Sequence, residues 1–360
     1  MGERKEHLNI NRRTLIGAGA SLLALPSCVT NRQTQLIENK RIVVDPRIEL
    51  ISVVQLLGGY FLLADGDTRY KAEALEYFGP FRTHRVVDQA KRLAQVSLSY
   101  DAVPDFMLRL TQPAALEWRT GLTSDVPRGI PDRQERSIFL KSLRDFAKVS
   151  RFQNFFDQNR SLYNEAIAVI EPIVLPNVLK LEAYTGASLG QWQVIGGLLL
   201  HDGGFGPSLK RNDGSVETYS IIGPLSQSRG NPDFGDYDRL QDLIVHEFAH
   251  SPVNPLGEAN SDLVQQYAAR FEPLRAAMEK AGAYDTWAIV VDEHIVRAVT
   301  ARIAANRFGE IAGDAAVNTE VKRGFAFVPA LVERLRNYEG DRGRWPMLKD
   351  YYPQLLQAFA

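Results

Sequence analysis

The stretch LQDLIVHEFAH, residues 240–250, decides how the rest of the sequence is interpreted. Its apolar residues recur at helical spacing, which predicts a helix over about 238–251 with one buried face. Both histidines fall within this helix, so we expect them to enter the core rather than solvent. Pro252 follows the second histidine by two residues, and we expect it to end the helix early.

Residues 246–250 form an HExxH motif. Because residues i and i+4 lie on one face of a helix, His246 and His250 can bind one metal ion together. Glu247 lies beside them and can reach a water on that ion, whose pKa zinc lowers toward about 7. The motif therefore predicts zinc as the cofactor and Glu247 as the catalytic base. The alternative is a helix whose two histidines make ordinary core hydrogen bonds.

A catalytic zinc site needs a third protein ligand and one open position. Glu293 is the leading candidate, because it interrupts an apolar helical stripe. A buried carboxylate there is costly unless it is paired or binds a metal. A salt bridge to Arg297, one turn later, is the alternative explanation. His294 and Glu258 are the other candidate ligands.

Other side chains could contact a substrate. Tyr219 and Tyr284 could each donate a hydrogen bond to an oxyanion, although most tyrosines have structural roles. Arg297 could bind a substrate carboxylate, with a structural ion pair as the alternative.

The order of the predicted elements indicates an α+β protein. Helical periodicity dominates residues 84–182, and we expect Pro172 and Pro176 to interrupt it. Short β-type runs separated by glycines predict an antiparallel three-strand meander over 192–222. Helices are predicted near 238–251, 259–281, 286–306, 328–337 and 347–359. In this scheme a helical part, 41–185, precedes the sheet and catalytic part, 186–360, whose small antiparallel sheet packs beside the HExxH helix.

The glycine-rich segment Gly204, Phe205 and Gly206 is the candidate edge of that sheet. An extended peptide could add to this edge as a further strand, since small residues permit close approach. A loop that needs positive φ angles is the alternative reading of the same glycines.

The N-terminus has the pattern of an export signal. A basic segment and a short apolar run over residues 1–27 predict a signal peptide, with Arg12-Arg13 typical of the twin-arginine type. Cys28 stands where a bacterial lipoprotein is lipidated, and residues 28–40 would form a tether. We therefore expect an exported protein, lipid-anchored to a membrane and facing the periplasm or the cell exterior. An ordinary signal peptide with an incidental cysteine is the alternative.

Composition excludes several classes of protein. The 360 residues carry 42 basic and 43 acidic side chains, so the chain lacks the basic excess expected of a nucleic-acid binder. A single cysteine excludes an intramolecular disulfide framework. The mean hydropathy of −0.21 excludes a polytopic membrane protein.

His246, Glu247, His250 and a helix-borne Glu293 resemble the gluzincin branch of HExxH zinc metallopeptidases. Segments over about 42–350 also resemble a bacterial family known as a domain of unknown function, whose members are suspected peptidases. The resemblance implies a zincin-like fold, zinc held by His246, His250 and Glu293, and a peptide or protein substrate. Gluzincins commonly carry an Asp four residues after the third ligand, where this sequence has Arg297.

The leading hypothesis from the sequence is a membrane-anchored, extracytoplasmic zinc metallohydrolase that cleaves peptide bonds. The alternative is a lipoprotein that binds metal or peptide without catalysis, through a degenerate zincin site. A zinc hydrolase acting on a non-peptide bond is a third reading, because HExxH chemistry does not itself choose the acyl substrate.

Overall fold

The computed structural model describes residues 41–63, 66–113, 115–282 and 284–360. Residues Arg41–Ala360 form one compact unit. The predicted signal peptide, Cys28 and the tether lie outside the described residues. Within the described part, no helix has both the length and the apolar character needed to cross a membrane.

Short and long helices dominate the first half of the described chain. They are α1 (Pro46–Gly58), α2 (Arg69–Phe78), α3 (Arg85–Ala94), α4 (Ala102–Leu108), α5 (Arg133–Val149), α6 (Phe152–Gln158) and α7 (Arg160–Thr185). Asp45 caps α1 by accepting a hydrogen bond from the Arg47 amide, and Pro46 occupies the first turn, where its missing N–H costs nothing.

Strands and one hairpin follow, which together with the helices confirm the α+β class. A two-residue strand precedes α1 and the others follow α7. The strands are β1 (Ile42–Val43), β2 (Gln191–Gly196), β3 (Gly204–Phe205), β4 (Ser208–Lys210), β5 (Val216–Ile222), β6 (Ser226–Ser228) and β7 (Asn231–Asp233).

The main sheet is mixed, so the predicted antiparallel meander is wrong for its first strand. β2 pairs with β5 in parallel, from Gln191 opposite Glu217 to Gly196 opposite Ile222, and β1 pairs in parallel with the other side of β2. β3 and β4 both lie antiparallel along the far side of β5. The turn signal at 212–214 predicts the β4–β5 connection correctly. Residues 197–203, however, carry the chain from the end of β2 to the opposite side of β5.

The helix that carries the motif, α8, spans Tyr237–Ala259 and continues through Pro252 and Pro255. The expectation that Pro252 ends the helix is therefore wrong. Each proline removes one backbone hydrogen bond, but Phe248 and Val253 on the same helix are fully packed in the core. Burial of Phe248 before Pro252 and of Val253 after it offsets the local penalty at Pro252. α7 likewise continues through its two prolines.

The chain after α8 is helical, with α9 (Ser261–Gln265), α10 (Phe271–Gly282), α11 (Trp287–Phe308), α12 (Glu310–Lys322), α13 (Val328–Gly340) and α14 (Leu348–Leu356). α11 packs against α8, α12 and α13, so it is the central helix of this half.

α12 was not among the predicted helices. Its only buried residue is Gly313, where a Cβ would lie 2.5 Å from Ala305 Cβ, so α12 packs closely on α11.

Glu49 is a buried carboxylate that lies far from the HExxH motif in sequence. Its Oε2 accepts a hydrogen bond from the Tyr70 hydroxyl at 2.6 Å, and its Oε1 accepts one from the Leu198 amide at 2.8 Å. Glu49 thereby ties α1 to α2 and to the segment that leads from β2 to β3. Burial is the main cause that raises the pKa of Glu49 to about 7.

The raised pKa of Glu49 predicts a pH-dependent stability. The folded state holds the proton that the unfolded chain releases above about pH 4.5, so stability falls as pH rises toward 7, by about 3 kcal/mol. Glu49→Gln mimics the protonated acid. We expect it to match wild type near pH 5 and to exceed it in free energy of unfolding at pH 8, measured by urea denaturation.

Glu171→Gln, on the exposed face of α7, is the control and should keep the wild-type pH profile. Identical pH profiles for wild type and Glu49→Gln would contradict the raised pKa of Glu49.

Candidate metal centre

The HExxH side chains converge on one side of α8. Ligand atoms of His246, Glu247 and His250 all lie within 4.8 Å of one another. The two imidazole centroids are 5.1 Å apart and the ring planes are perpendicular. The i, i+4 spacing therefore brings both rings to one point, as the helical geometry requires.

Glu293 lies opposite the two histidines, on α11. Its Oε1 is 3.6 Å from His250 Nε2, and its Oε2 is 3.8 Å from His246 Nε2. Two ligands at about 2.1 Å from one tetrahedral zinc ion lie about 3.4 Å apart, so these three side chains fit a shared ion with small adjustments. Imidazole and carboxylate donors also suit zinc chemically.

The other candidate ligands lie elsewhere. His294 Nδ1 donates a 2.7 Å hydrogen bond to the carbonyl of Val290, and the ring packs among Phe325, Phe327 and Phe359. Glu258 makes no ion pair with either histidine among the described residues. Its charge is instead the third cause, after burial and Glu293, of the raised pKa of Asp292. Glu293 is the acid that the fold brings to the histidines.

Arg297 holds the opposite side of Glu293. Its Nη2 donates to Glu293 Oε2 at 3.1 Å and to the Tyr284 hydroxyl oxygen at 3.2 Å, and its Nη1 donates to Glu320 Oε2 at 2.8 Å. The guanidinium carbon lies 3.9 Å from the ring centroid of Phe325. The alternative salt bridge between Arg297 and Glu293 is therefore present, and the same carboxylate also lies near both histidines.

The histidine ring nitrogens are arranged so that Nε2 faces Glu293. His250 Nδ1 lies 3.3 Å from Asn254 Oδ1, where a protonated Nδ1 donates and leaves the Nε2 lone pair for a metal. Burial first, and then the positive charge of Arg297, hold the pKa of His246 well below its usual range. A neutral imidazole is the form that binds zinc.

Glu247 is buried between α8 and the sheet edge. A Cβ on Gly204 would lie 2.9 Å from Glu247 Oε1, and a Cβ on Gly206 would lie 2.2 Å from the Glu247 carbonyl oxygen. Only glycine permits this approach, so the two glycines bring the edge segment against the motif. Burial, followed by the charge of Glu293, raises the pKa of Glu247 well above its usual range.

The strand beside Glu247, β3, is an edge strand of the main sheet. β3 lies on one outer side of the main sheet, and no backbone hydrogen bond among the described residues occupies its free side. By contrast, the outer side of β4 is met by residues 121–123, where the Thr123 amide donates to the Lys210 carbonyl. The predicted edge segment therefore lies at an outer side of the sheet, next to the HExxH helix.

The two candidate tyrosines have different surroundings. Tyr284 accepts a hydrogen bond from Arg297, and its pKa is raised, first by burial and then by the charge of Glu293. Tyr219 instead donates to Glu217 Oε2 at 2.7 Å. Its neighbour on β5, Thr218, contacts Ser251 of α8, and successive strand residues face opposite sides. The structure brings Tyr284 to the centre but not Tyr219.

Four further residues of the centre were not assigned a role from the sequence: Asn254, Glu320, Arg323 and Phe325. Asn254 lies one turn after His250 on the same helix face, so its spacing could have identified it. Glu320 belongs to α12, which the sequence did not predict, and the other two residues follow that helix.

Comparison with known proteins adds one relationship. A family model described as "Domain of unknown function (DUF4932)" matches residues 95–358, which include the HExxH motif, Glu293 and Arg297. The matched range does not include α1. No curated protein and no solved structure gives a significant match. Because the match covers more than half of the sequence, the chain belongs to the DUF4932 family.

Proposed function

We propose that this protein is a zinc metallohydrolase that cleaves peptide bonds. The observation that carries the proposal is the position of Glu293, whose two carboxylate oxygens lie 3.6 and 3.8 Å from the Nε2 atoms of His250 and His246. An HExxH helix with a third acid ligand from another helix is the donor set of a catalytic zinc site.

His246, His250 and Glu293 would hold the ion. Zinc, when bound, supplies Lewis acidity and makes water acidic enough to lose a proton near neutral pH. Arg297 fixes the Glu293 carboxylate from behind, and Asn254 fixes the His250 ring, so both side chains are oriented before any ligand arrives.

Glu247 would act as general base and acid. Its carboxylate lies within 4.8 Å of the ligand nitrogens, in a buried position against Gly204. There it can accept a proton from the attacking water and return it to the leaving amine. A carboxylate whose pKa is raised by burial is suited to both transfers near neutral pH.

The free side of β3 would bind the substrate backbone. An extended peptide that adds beside Gly204 and Phe205 would pass directly over Glu247. Tyr284 would donate its hydroxyl proton to the oxyanion, since Arg297 already donates to the phenol oxygen and the raised pKa keeps the phenol protonated.

The proposed location is outside the cytoplasm, on a membrane to which a lipid on Cys28 anchors the protein. The signal-like segment 1–27 and the position of the cysteine support this part of the proposal.

A second candidate function is metal or peptide binding without catalysis. Arg297 favours it, because a cation paired with Glu293 offsets the negative charge that this ligand would offer to a metal. Retention of zinc without cleavage of any member of a broad peptide library would favour this candidate over the hydrolase.

The zinc site predicts a defined metal content. We expect purified protein to hold one zinc ion per chain, measured by inductively coupled plasma mass spectrometry after dialysis. His246→Ala and Glu293→Ala should each lower the zinc affinity by at least about 100-fold, because each removes one of three ligands. His294→Ala is the control and should retain zinc. Loss of zinc from His294→Ala but not from Glu293→Ala would contradict the assignment of Glu293.

The role of Glu247 predicts a separation of binding from catalysis. Glu247→Gln preserves shape but cannot take a proton, so zinc content should be unchanged. Cleavage of the most rapidly cut library peptide should fall by about 100- to 10,000-fold. Turnover by Glu247→Gln within a few fold of wild type would rule out Glu247 as the base.

The two tyrosines form a matched pair. Tyr284→Phe removes the proposed oxyanion donor and should lower kcat by about 100-fold with little change in KM. Tyr219→Phe removes a hydroxyl that is bonded to Glu217, away from the centre, and should leave kcat unchanged. Equal kcat values for the two variants would exclude the role given to Tyr284.

A further inference from the structure

Arg323 is a half-exposed arginine that is linked to the metal centre through alternating charges. Its Nη1 donates to Glu320 Oε1 at 3.2 Å. The other oxygen of Glu320 accepts from Arg297, which in turn donates to Glu293. Arg323 therefore stands at the outer end of a chain of ion pairs whose inner end is the carboxylate that faces both histidines.

The backbone around Arg323 is held in place by packing. Gly324 has a φ of +103°, and a Cβ there would lie 3.0 Å from Ala277 Cβ, so glycine is required for this turn. Phe325 is fully buried, with its ring beneath Arg297 and 5.9 Å from that of Tyr284. The turn thus fixes Arg323 two residues before the ring that packs against Arg297.

The two arginines differ in how many donors they have left. Arg297 is 6% exposed and already donates to three side chains. Arg323 is 50% exposed, and Glu320 is its side-chain partner among the described residues. A guanidinium has five N–H donors, and among the described residues only the Nη1 of Arg323 has a side-chain acceptor.

We propose that Arg323 binds a carboxylate of the substrate and gives the enzyme a preference for peptides with a carboxylate close to the scissile bond. The proposal rests on the zinc peptidase function proposed above. A planar guanidinium matches a carboxylate in geometry and charge, and Arg323 has the free donors that this pairing needs. The C-terminus of a short peptide and an acidic side chain share this chemistry.

Three thiol probes test the proposal on zinc-loaded protein: mercaptoacetyl-Phe-Ala with a free C-terminus, the same compound as its C-terminal amide, and mercaptoacetyl-Phe-Glu amide. The thiolate anchors each probe on the metal, and Kd is measured by calorimetry. We expect the free acid to bind about tenfold more tightly than its amide. Arg323→Gln should reduce this ratio to near one, Arg323→Lys should keep part of it, and Arg133→Gln, at the exposed start of α5, should retain it.

Tight binding of mercaptoacetyl-Phe-Glu amide would assign the preference to an acidic side chain, and weak binding would assign it to the chain terminus. Equal Kd values for acid and amide in wild type would overturn the role of Arg323 while leaving the zinc site intact. A ratio unchanged in Arg323→Gln would do the same. Failure of every probe to bind zinc-loaded protein, or failure to load zinc, would overturn the peptidase proposal and this inference with it.

Discussion

The ion pair between Glu293 and Arg297 is the interaction on which the arrangement of the metal centre depends. A carboxylate as buried as that of Glu293 is stable only if its charge is compensated, and removal of one partner from such a pair commonly costs 3–5 kcal/mol. Arg297 also holds Glu320 and Tyr284, so one guanidinium joins α11 to α12 and to the segment before α11. The position of the third candidate ligand is thus set by charge pairing before any metal binds.

The sequence analysis gave metal binding and ion pairing of Glu293 as alternatives. In the structure Glu293 is paired with Arg297, and the same carboxylate lies near both histidines. A carboxylate has two oxygens: Oε2 of Glu293 accepts from Arg297 and lies 3.8 Å from His246 Nε2, and Oε1 lies 3.6 Å from His250 Nε2. Sequence spacing could locate Glu293 on the buried face of α11, because α11 is strongly apolar around it. Sequence spacing could not show which partner each Glu293 oxygen meets, because those contacts depend on how α8 crosses α11.

Local sequence patterns correctly predicted the elements that bury one face. They failed for features that depend on tertiary packing. The HExxH helix, α11 and the β4–β5 turn follow from spacing and turn residues. The continuation of α8 through Pro252 depends on core contacts on both sides of the proline, and no local rule includes them. α12 lacks a stripe of large apolar residues, since it packs through Gly313, so its periodicity gave no signal. The pairing of β2 with β5 is a long-range choice of the same kind.

Gly204 and Gly206 offer a way to compare this protein with other members of its family. Both positions lie so close to α8 that a methyl group would collide with Glu247. A related sequence that keeps HExxH but carries side chains at these two positions cannot place its sheet edge in the same way. Substitution at the glycines is therefore a geometric marker of a rearranged sheet edge, and it can be identified from sequence alone even where every candidate metal ligand is unchanged.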